Sequence, residues 1–412
     1  MASLGRFALN DHPLEQASVK SAGEVFWVAL GLGMTSFGGP IAHLGYFERA
    51  YVQRRCWISA EQYGAYVSLC QSLPGPTSSQ VGFLVGLHRA GWLGALAAWI
   101  GFTLPSALLM YGFATLAPAA AAGPHMQAVL HGLMLAAVIV VAQAVVSMAR
   151  RLCPDLPRAM IALGAAAVLI LWHSSAVQLA CLSGGAIAGA LVCRRVALKP
   201  SYPLENLTAS IRWFLPAVFG ILLTASVIIS LRPQHGPIEL AAIFYRAGAL
   251  VFGGGHVVLP LLQQALVPDG WTSNDRFLAG YGFAQAMPGP LFTFAVYLGA
   301  AIKLSEGALA GSLIALAAIF LPGLLLAAWG ASMWARVAGM HTAQAALAGT
   351  NAAVVGVLAS ALYAPVWTTA VRGPLDVAAV LLGFVLLQWC RVPPILVVVL
   401  YVVLSIAATL PL

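Results

Sequence analysis

The 412-residue chain is 61% hydrophobic and only 8% charged, with a mean hydropathy of +0.91, which excludes a soluble globular domain and places nearly all of it in lipid. Its formal net charge of +8 is the excess that short cytoplasmic loops of a membrane protein carry, so no nucleic-acid partner is called for. The six cysteines (Cys56, Cys70, Cys153, Cys181, Cys193, Cys390) show no C-x-x-C or other ligand spacing and read as small packing residues, and no cofactor or metal is expected.

Residues 1 to 23 are polar and carry Arg6 and Lys20, so a cleaved signal peptide is not expected and the first membrane segment acts as its own targeting signal. Residues 24 to 37 and 40 to 52 are each too short to cross a bilayer and meet at Gly-Gly-Pro. Residues 60 to 73 and 76 to 89 meet at Pro-Gly-Pro. Each pair reads as two half-helices. A full crossing takes about 20 apolar residues, and nine stretches approach that length: 91 to 117, 125 to 150, 155 to 173, 175 to 193, 213 to 231, 307 to 333, 341 to 364, 373 to 390 and 393 to 411. The expected fold is therefore an all-α polytopic membrane protein with about nine full spans and four helical hairpins, two in each half.

The two halves repeat one another. Gln-x-x-Pro-Gly-Pro occurs at Gln71 to Pro76 and again at Gln285 to Pro290, Phe37-Gly38-Gly39-Pro40 answers to Phe252-Gly253-Gly254-Gly255, Trp57 to Trp271, and Leu104-Pro105 to Leu321-Pro322. The offset drifts only from 214 to 217 residues, a register that chance does not hold. Basic clusters at Arg54 and Arg55, Arg150 and Arg151, and Arg194, Arg195 and Lys199 all belong in the cytoplasm. They share one side only if each half-helix pair turns back on itself, which puts the N-terminus inside and the C-terminus outside. On this reading 15 of the 20 Lys and Arg face the cytoplasm, Arg232, Arg276, Lys303 and Arg372 face outward, and Arg246 lies within the membrane. The single span 213 to 231 delivers the second repeat to the opposite side, so the organisation expected is a first repeat at 24–193, a basic loop and linking helix at 194–235, and an inverted second repeat at 236–412. Inverted repeats with broken helices are a secondary-transporter architecture.

Non-helical backbone at membrane depth must be buried in protein or line an aqueous cavity, because lipid satisfies no N–H or C=O group. Proline suits the first turn of a helix, so Pro76 and Pro290 are expected to start half-helices. The N–H groups of Thr77, Ser78 and Ser79, and of Leu291, Phe292 and Thr293, would then be free at the positive end of a helix dipole, which suits an anion. The hydroxyls of Thr77, Ser78 and Ser79 and the amide of Gln80 add donors in the first copy, whereas Thr293 is the only one in the second. Capping and close packing explain such hydroxyls equally simply. Gln71 and Gln285 either donate to a ligand or tie down the loop. Among ionisable residues in apolar segments, Glu24, His43, Glu48, His131, Glu239, Arg246 and His256 stand out. His43 and His256 follow the two Gly-rich breaks and could hold an oxyanion or carry a proton. Glu24, Glu48 and Arg246 are candidates for charge or proton coupling, although Arg246 could instead snorkel to the interface.

The run Phe37-Gly38-Gly39-Pro40 with His43-Leu44-Gly45-Tyr46-Phe47, followed by Gln71-Ser72-Leu73-Pro74-Gly75-Pro76-Thr77-Ser78-Ser79-Gln80, resembles the signature of the chromate ion transporter family. Val251 to Pro260, with Gly254, Gly255 and His256, and Gln285-Ala286-Met287-Pro288-Gly289-Pro290 resemble that family's second motif. The likeness covers essentially the whole chain, in the long two-repeat form. It implies a bacterial inner-membrane carrier of chromate, commonly outward, with sulfate as the natural mimic. The second Pro-Gly-Pro departs from the pattern, being followed by Leu-Phe-Thr, so ligand contacts transfer more securely to the first. A dianion gains about 4.6 kcal/mol on leaving a cell that is negative inside by 100 mV, and no G-x-x-x-x-G-K motif supplies another energy source. Efflux is thus the simpler reading; a proton-coupled importer of sulfate or another oxyanion is the alternative. An enzyme is not expected, since no nucleophile with a base and no metal cluster is evident. The partners expected are chromate, sulfate as a competitor, membrane lipid and, as an open case, a second copy in a homodimer.

Overall fold

In the computed structural model the residues described are 19–37, 39–120, 124–172, 174–193, 209–231, 235–251, 257–302, 304–338, 340–390 and 392–407. Among them every regular element is helical. Helix α1 (Val19–Thr35) is followed by α2 (Gly39–Phe47), a π-helical segment (Glu48–Arg54), α3 (Ala60–Ser72), α4 (Thr77–Ala120), α5 (Pro124–Leu152), α6 (Leu156–Leu171), α7 (Ser175–Val192) and α8 (Ala209–Ser230). The second half runs through α9 (Pro237–Leu250), α10 (Val258–Leu266), α11 (Asn274–Ala286), a 3-10 turn (Leu291–Thr293), α12 (Phe294–Ala301), α13 (Ala308–Ala338), α14 (His341–Ala361), a π segment (Leu362–Trp367), α15 (Thr368–Ala370), α16 (Pro374–Gln388) and α17 (Pro394–Ala407).

The expected breaks are present where they are described. α1 stops at Thr35 and α2 resumes at Gly39, whose φ of +77° is a backbone conformation that favours glycine. α3 stops at Ser72, Leu73 is extended, and the next helix begins at Thr77. α4 is two helices in one assignment: Ala90 (φ −144°, ψ 28°) and Gly91 (φ 61°, ψ −154°) reverse the chain, so the half-helix over 77–89 and the span over 91–117 fold back on each other. Their crossing is so close that a Cβ on Gly86 would lie 2.3 Å from the Gly94 carbonyl oxygen, and Gly299 repeats this against Gly311 at 2.3 Å. Small residues let membrane helices approach this closely, since lipid gives them no hydrophobic incentive to associate. The correspondence extends to loops. Ser59 and Ser273 cap α3 and α11 by accepting from the N–H groups of Gln62 and Arg276, and the Trp57 and Trp271 N–H groups close the preceding loops onto the Tyr51 and Leu266 carbonyls.

α1 packs along α4, and α9 packs in the same way along α13. Gly33 sits against the Phe102 carbonyl of α4 and Gly248 against the Ile319 carbonyl of α13. α5 runs through the centre, with Ala136 to Val141 at most 1% exposed. By contrast α8 presents Trp213, Phe214 and Ile221 outward, the apolar surface expected to meet lipid.

Not all of the nine stretches read as spans form helices of full crossing length. Five helices among the described residues are long and apolar enough to cross a membrane: Thr77–Leu116, Gln127–Leu152, Ile211–Ser230, Ala308–Met333 and His341–Ala370. The stretches read as spans at 155–173, 175–193, 373–390 and 393–411 fold as the shorter helices α6, α7, α16 and α17, of 16, 18, 15 and 14 residues. At about 1.5 Å rise per residue they reach roughly 21–27 Å, against a hydrocarbon core of about 30 Å. Apolar residues that the sequence adds to these spans are spent on connections: Trp172 is the cap of α6, and Trp389 is the cap of α16.

Candidate functional site

The local chain chemistry of the two Pro-Gly-Pro turns is the same. Leu73 and Met287, ahead of the prolines, are extended, as the residue before proline prefers. Gly75 and Gly289 both take positive φ, +120° and +89°. The tertiary structure then exchanges them between repeats. The Gly75 N–H donates to the Val251 carbonyl (2.7 Å), at the edge of the second Gly-rich break, and the Gly289 N–H donates to the Ser36 carbonyl (2.9 Å), at the edge of the first. Gly75 also lies against Gly323 of α13, while Gly289 lies against Ser106 of α4. Ser106 and Gly323 each follow the repeated Leu-Pro pair and answer to one another. Each turn is thus anchored to the other repeat, so the described breaks meet in one interior region. Gly38 and the Gly253-Gly254-Gly255-His256 run fall outside the described residues.

Pro76 does not occupy the first helical position as expected. It is one residue earlier, the cap, and its carbonyl accepts the Gln80 N–H (3.0 Å). That shift keeps Thr77, Ser78 and Ser79 as the first turn, whose N–H groups have no acceptor within the helix. Thr77 is 8%, Ser78 3% and Ser79 1% exposed. His43, on α2, brings its Nδ1 to 3.3 Å from the Ser78 hydroxyl and packs edge-on against Phe102 of α4. The Ser79 hydroxyl is buried with no hydrogen-bond partner, and Ser36 Oγ, Thr103 Oγ1 and Gln80 Oε1 share that state. Buried polar groups in a folded interior are nearly always satisfied, so this many in the segments that meet here marks a polar interior.

The second turn is built differently. After Pro290 the chain makes a 3-10 turn before α12, and both the N–H (3.1 Å) and the hydroxyl (2.8 Å) of Thr293 go to the Pro290 carbonyl. The expectation that Leu291, Phe292 and Thr293 would all offer free N–H groups therefore fails at Thr293. Its hydroxyl closes the turn on itself. Pro74, Pro288 and Pro290 are buried in the turns.

The remaining candidates separate. Gln80 spends its amide donors on the carbonyls of Pro74 (2.8 Å) and Gly323 (3.0 Å), so it pins the first turn to α13. Gln71 is exposed at the end of α3, while Gln285 keeps a buried amide nitrogen at the second turn. Glu24 is a partly exposed ion pair with Arg89 (3.5 Å), an arrangement worth about 0–1 kcal/mol, and Glu48 is exposed on the π segment. His131 is paired with Asp376 (3.0 Å), joining α5 to α16, and Glu239 accepts the His235 N–H (2.7 Å) at the start of α9. Arg246 is half-buried on α9 and among the described residues reaches the Ser226 carbonyl, at 3.4 Å. Sequence reasoning missed Ser36, Thr103, Ser106, Val251 and Gly323. The repeated Leu-Pro pair pointed at Ser106 and Gly323, but nothing local said that these positions face a turn of the other repeat.

Among the described residues no group of three or more His, Cys, Asp or Glu could hold a metal ion. A family model described as chromate transporter matches residues 23–190 and again 238–406. A probable chromate transport protein of Synechococcus elongatus is 30% identical over 301 residues, 72% of each chain. Chromate transport proteins of Pseudomonas aeruginosa and Cupriavidus metallidurans are each 26% identical, over 85% and 86% of this chain and 82% and 84% of theirs. No solved structure matches the chain.

Proposed function

This chain belongs to the chromate transporter family, and we propose that it is a secondary carrier that moves chromate out of the cytoplasm across the bacterial inner membrane, holding the dianion at the start of the half-helix that follows Pro76. The observation that carries the site is the Ser79 hydroxyl, 1% exposed and without a partner, in a helical first turn beside the Ser78–His43 contact. Unbonded N–H groups and hydroxyls in a buried interior suit an oxyanion, and each costs free energy until a partner is bound. The second turn contributes less, because Thr293 is committed to Pro290. His43 is the acid or donor of the site, and Gln80 its brace.

The exchanged hydrogen bonds, Gly75 to Val251 and Gly289 to Ser36, support repeats at 24–193 and 236–412 related by a pseudo-two-fold axis, with 194–235 as the link. If that axis lies in the membrane plane, the repeats are inverted and each turn can pass between two equivalent dockings, which is a route to alternating access. Reporter fusions after Lys199 and after Leu412 should then report opposite sides of the membrane, cytoplasmic and extracytoplasmic. The same side for both refutes the inversion.

Chromate uptake into inside-out vesicles, driven by an inside-positive potential and with sulfate as competitor, tests the function. Uptake should rise with the potential, since the dianion gains about 4.6 kcal/mol per 100 mV. Uptake that requires an imposed proton gradient, or that follows sulfate and excludes chromate, overturns the efflux reading.

A further inference from the structure

A second donor-lined site lies apart from the Pro-Gly-Pro turns, and it goes beyond the efflux reading without depending on it. A cavity of about 20 Å³ sits between α7, α9 and α10, with Gln178 and Arg246 as its polar members and Ile243, Leu250 and Leu261 among its apolar walls. Gln178 is 1% exposed, and its side-chain Nε2 is buried without an acceptor. The Arg246 guanidinium has five N–H donors and, among the described residues, makes one long contact, to the Ser226 carbonyl. Glu239 and Asp269 act on it through their charge, but no carboxylate among the described residues is in ion-pair contact with it. A guanidinium in an apolar helix with no carboxylate in contact is costly. The unpaired amide nitrogen of Gln178, another residue of the same lining, adds to that cost.

We propose that Arg246 and Gln178 hold a small monovalent anion of chloride size. Among the described residues Arg246 is the one charged residue of the lining, and its charge selects an anion over a cation. Charge selects the class: one guanidinium is balanced by one negative charge, and the space between the helices is small. The arginine is particular to the second repeat, because the residue corresponding to it in the first, by the same 215-residue offset that relates Phe37 to Phe252, is Gly31, and Gln178 on α7 reaches the site from the first repeat. The bound anion neutralises the arginine inside the membrane and ties α7 to the half-helix pair α9 and α10.

The test uses the purified full chain, with chloride as the probe. Chloride NMR line broadening should be saturable and reversed by bromide, and the thermal midpoint should rise in sodium chloride relative to sodium gluconate at equal ionic strength. Arg246→Gln should lose both effects, and Gln178→Leu, which keeps the charge, should weaken chloride affinity about tenfold or more. Ser79→Ala, altered only at the half-helix, should keep both, so the two sites are read separately. Chloride effects unchanged in Gln178→Leu and Arg246→Gln, or matched by gluconate, overturn the site. Loss of chloride binding in Ser79→Ala with retention in Arg246→Gln would move the anion to the half-helix and overturn it equally.

Discussion

Gly75→Ala and Gly289→Ala should each remove most chromate transport and lower the thermal midpoint of the purified protein. Both glycines hold positive φ, +120° and +89°, which costs an L-residue about 1–2 kcal/mol. Neither has room for a methyl group: a Cβ on Gly75 would lie 2.9 Å from the Gly323 Cα, and one on Gly289 would lie 2.9 Å from the Ser106 hydroxyl. At Gly75 the obstacle is backbone, which cannot yield as a flexible side chain can, and at Gly289 it is a short buried serine side chain with backbone close behind it at 3.3 Å; overpacking costs about 1–3 kcal/mol more. Together these approach half of a typical stability of about 5–15 kcal/mol. The damage also has a direction. Pushing either turn away from the other repeat weakens the Gly75–Val251 or Gly289–Ser36 hydrogen bond and re-aims the half-helix that follows. Gly64→Ala is the control, because Gly64 lies inside α3 with open space around its Cα and alanine there favours the helix by up to about 1 kcal/mol. Thermal unfolding and vesicle uptake, normalised to folded protein, measure all three. Normal transport in both turn variants would mean that the cross-repeat docking plays no part in the cycle.

Ser79→Ala should separate stability from function. Its hydroxyl is buried and unpartnered, so removing it relieves an unsatisfied polar group and should leave the thermal midpoint unchanged or raise it. Transport should nonetheless fall by about tenfold or more, because a hydrogen bond to a charged ligand is worth about 1.5–3 kcal/mol. Ser78→Ala differs, since its hydroxyl meets His43 Nδ1 at 3.3 Å; it should lose transport and a little stability together. His43→Gln keeps a donor in place and should retain more transport than His43→Ala. A Ser79→Ala protein that folds normally and transports normally would remove the ligand from this turn, leaving the hydroxyls as packing groups.

The turns that frame the candidate site were legible because their signals are local. Gly39, Gly75 and Gly289 adopt the positive φ that only glycine takes readily, and proline punctuates both turns, so the repeated motifs marked the breaks to within a residue. The error at Pro76 is of that size: the cap lies at the proline itself, and the free first turn follows. Gln80 was misjudged for a different reason. Its amide looks like a ligand donor in the run Thr77-Ser78-Ser79-Gln80, but the carbonyls that consume it belong to Pro74 and to Gly323, 243 residues away.

Membrane residence, helical class, the two-fold repetition and the positions of the breaks were determined by the sequence alone, because hydropathy, glycine and proline act through the chain's nearest surroundings. The lengths of α6, α7, α16 and α17, the fate of Thr293 and the separation of Glu24 and Glu48 from the turns were decided only when the chain closed on itself. So was the partnership of each Pro-Gly-Pro turn with the opposite repeat. A hydropathy window counts an apolar residue alike in a helix or a connection, and it cannot see which carbonyl a distant turn will present. That choice belongs to packing: in a medium that satisfies no backbone group, the N–H groups of Gly75 and Gly289 must find acceptors within the protein, and the folded chain supplies them across the repeat boundary at Val251 and Ser36.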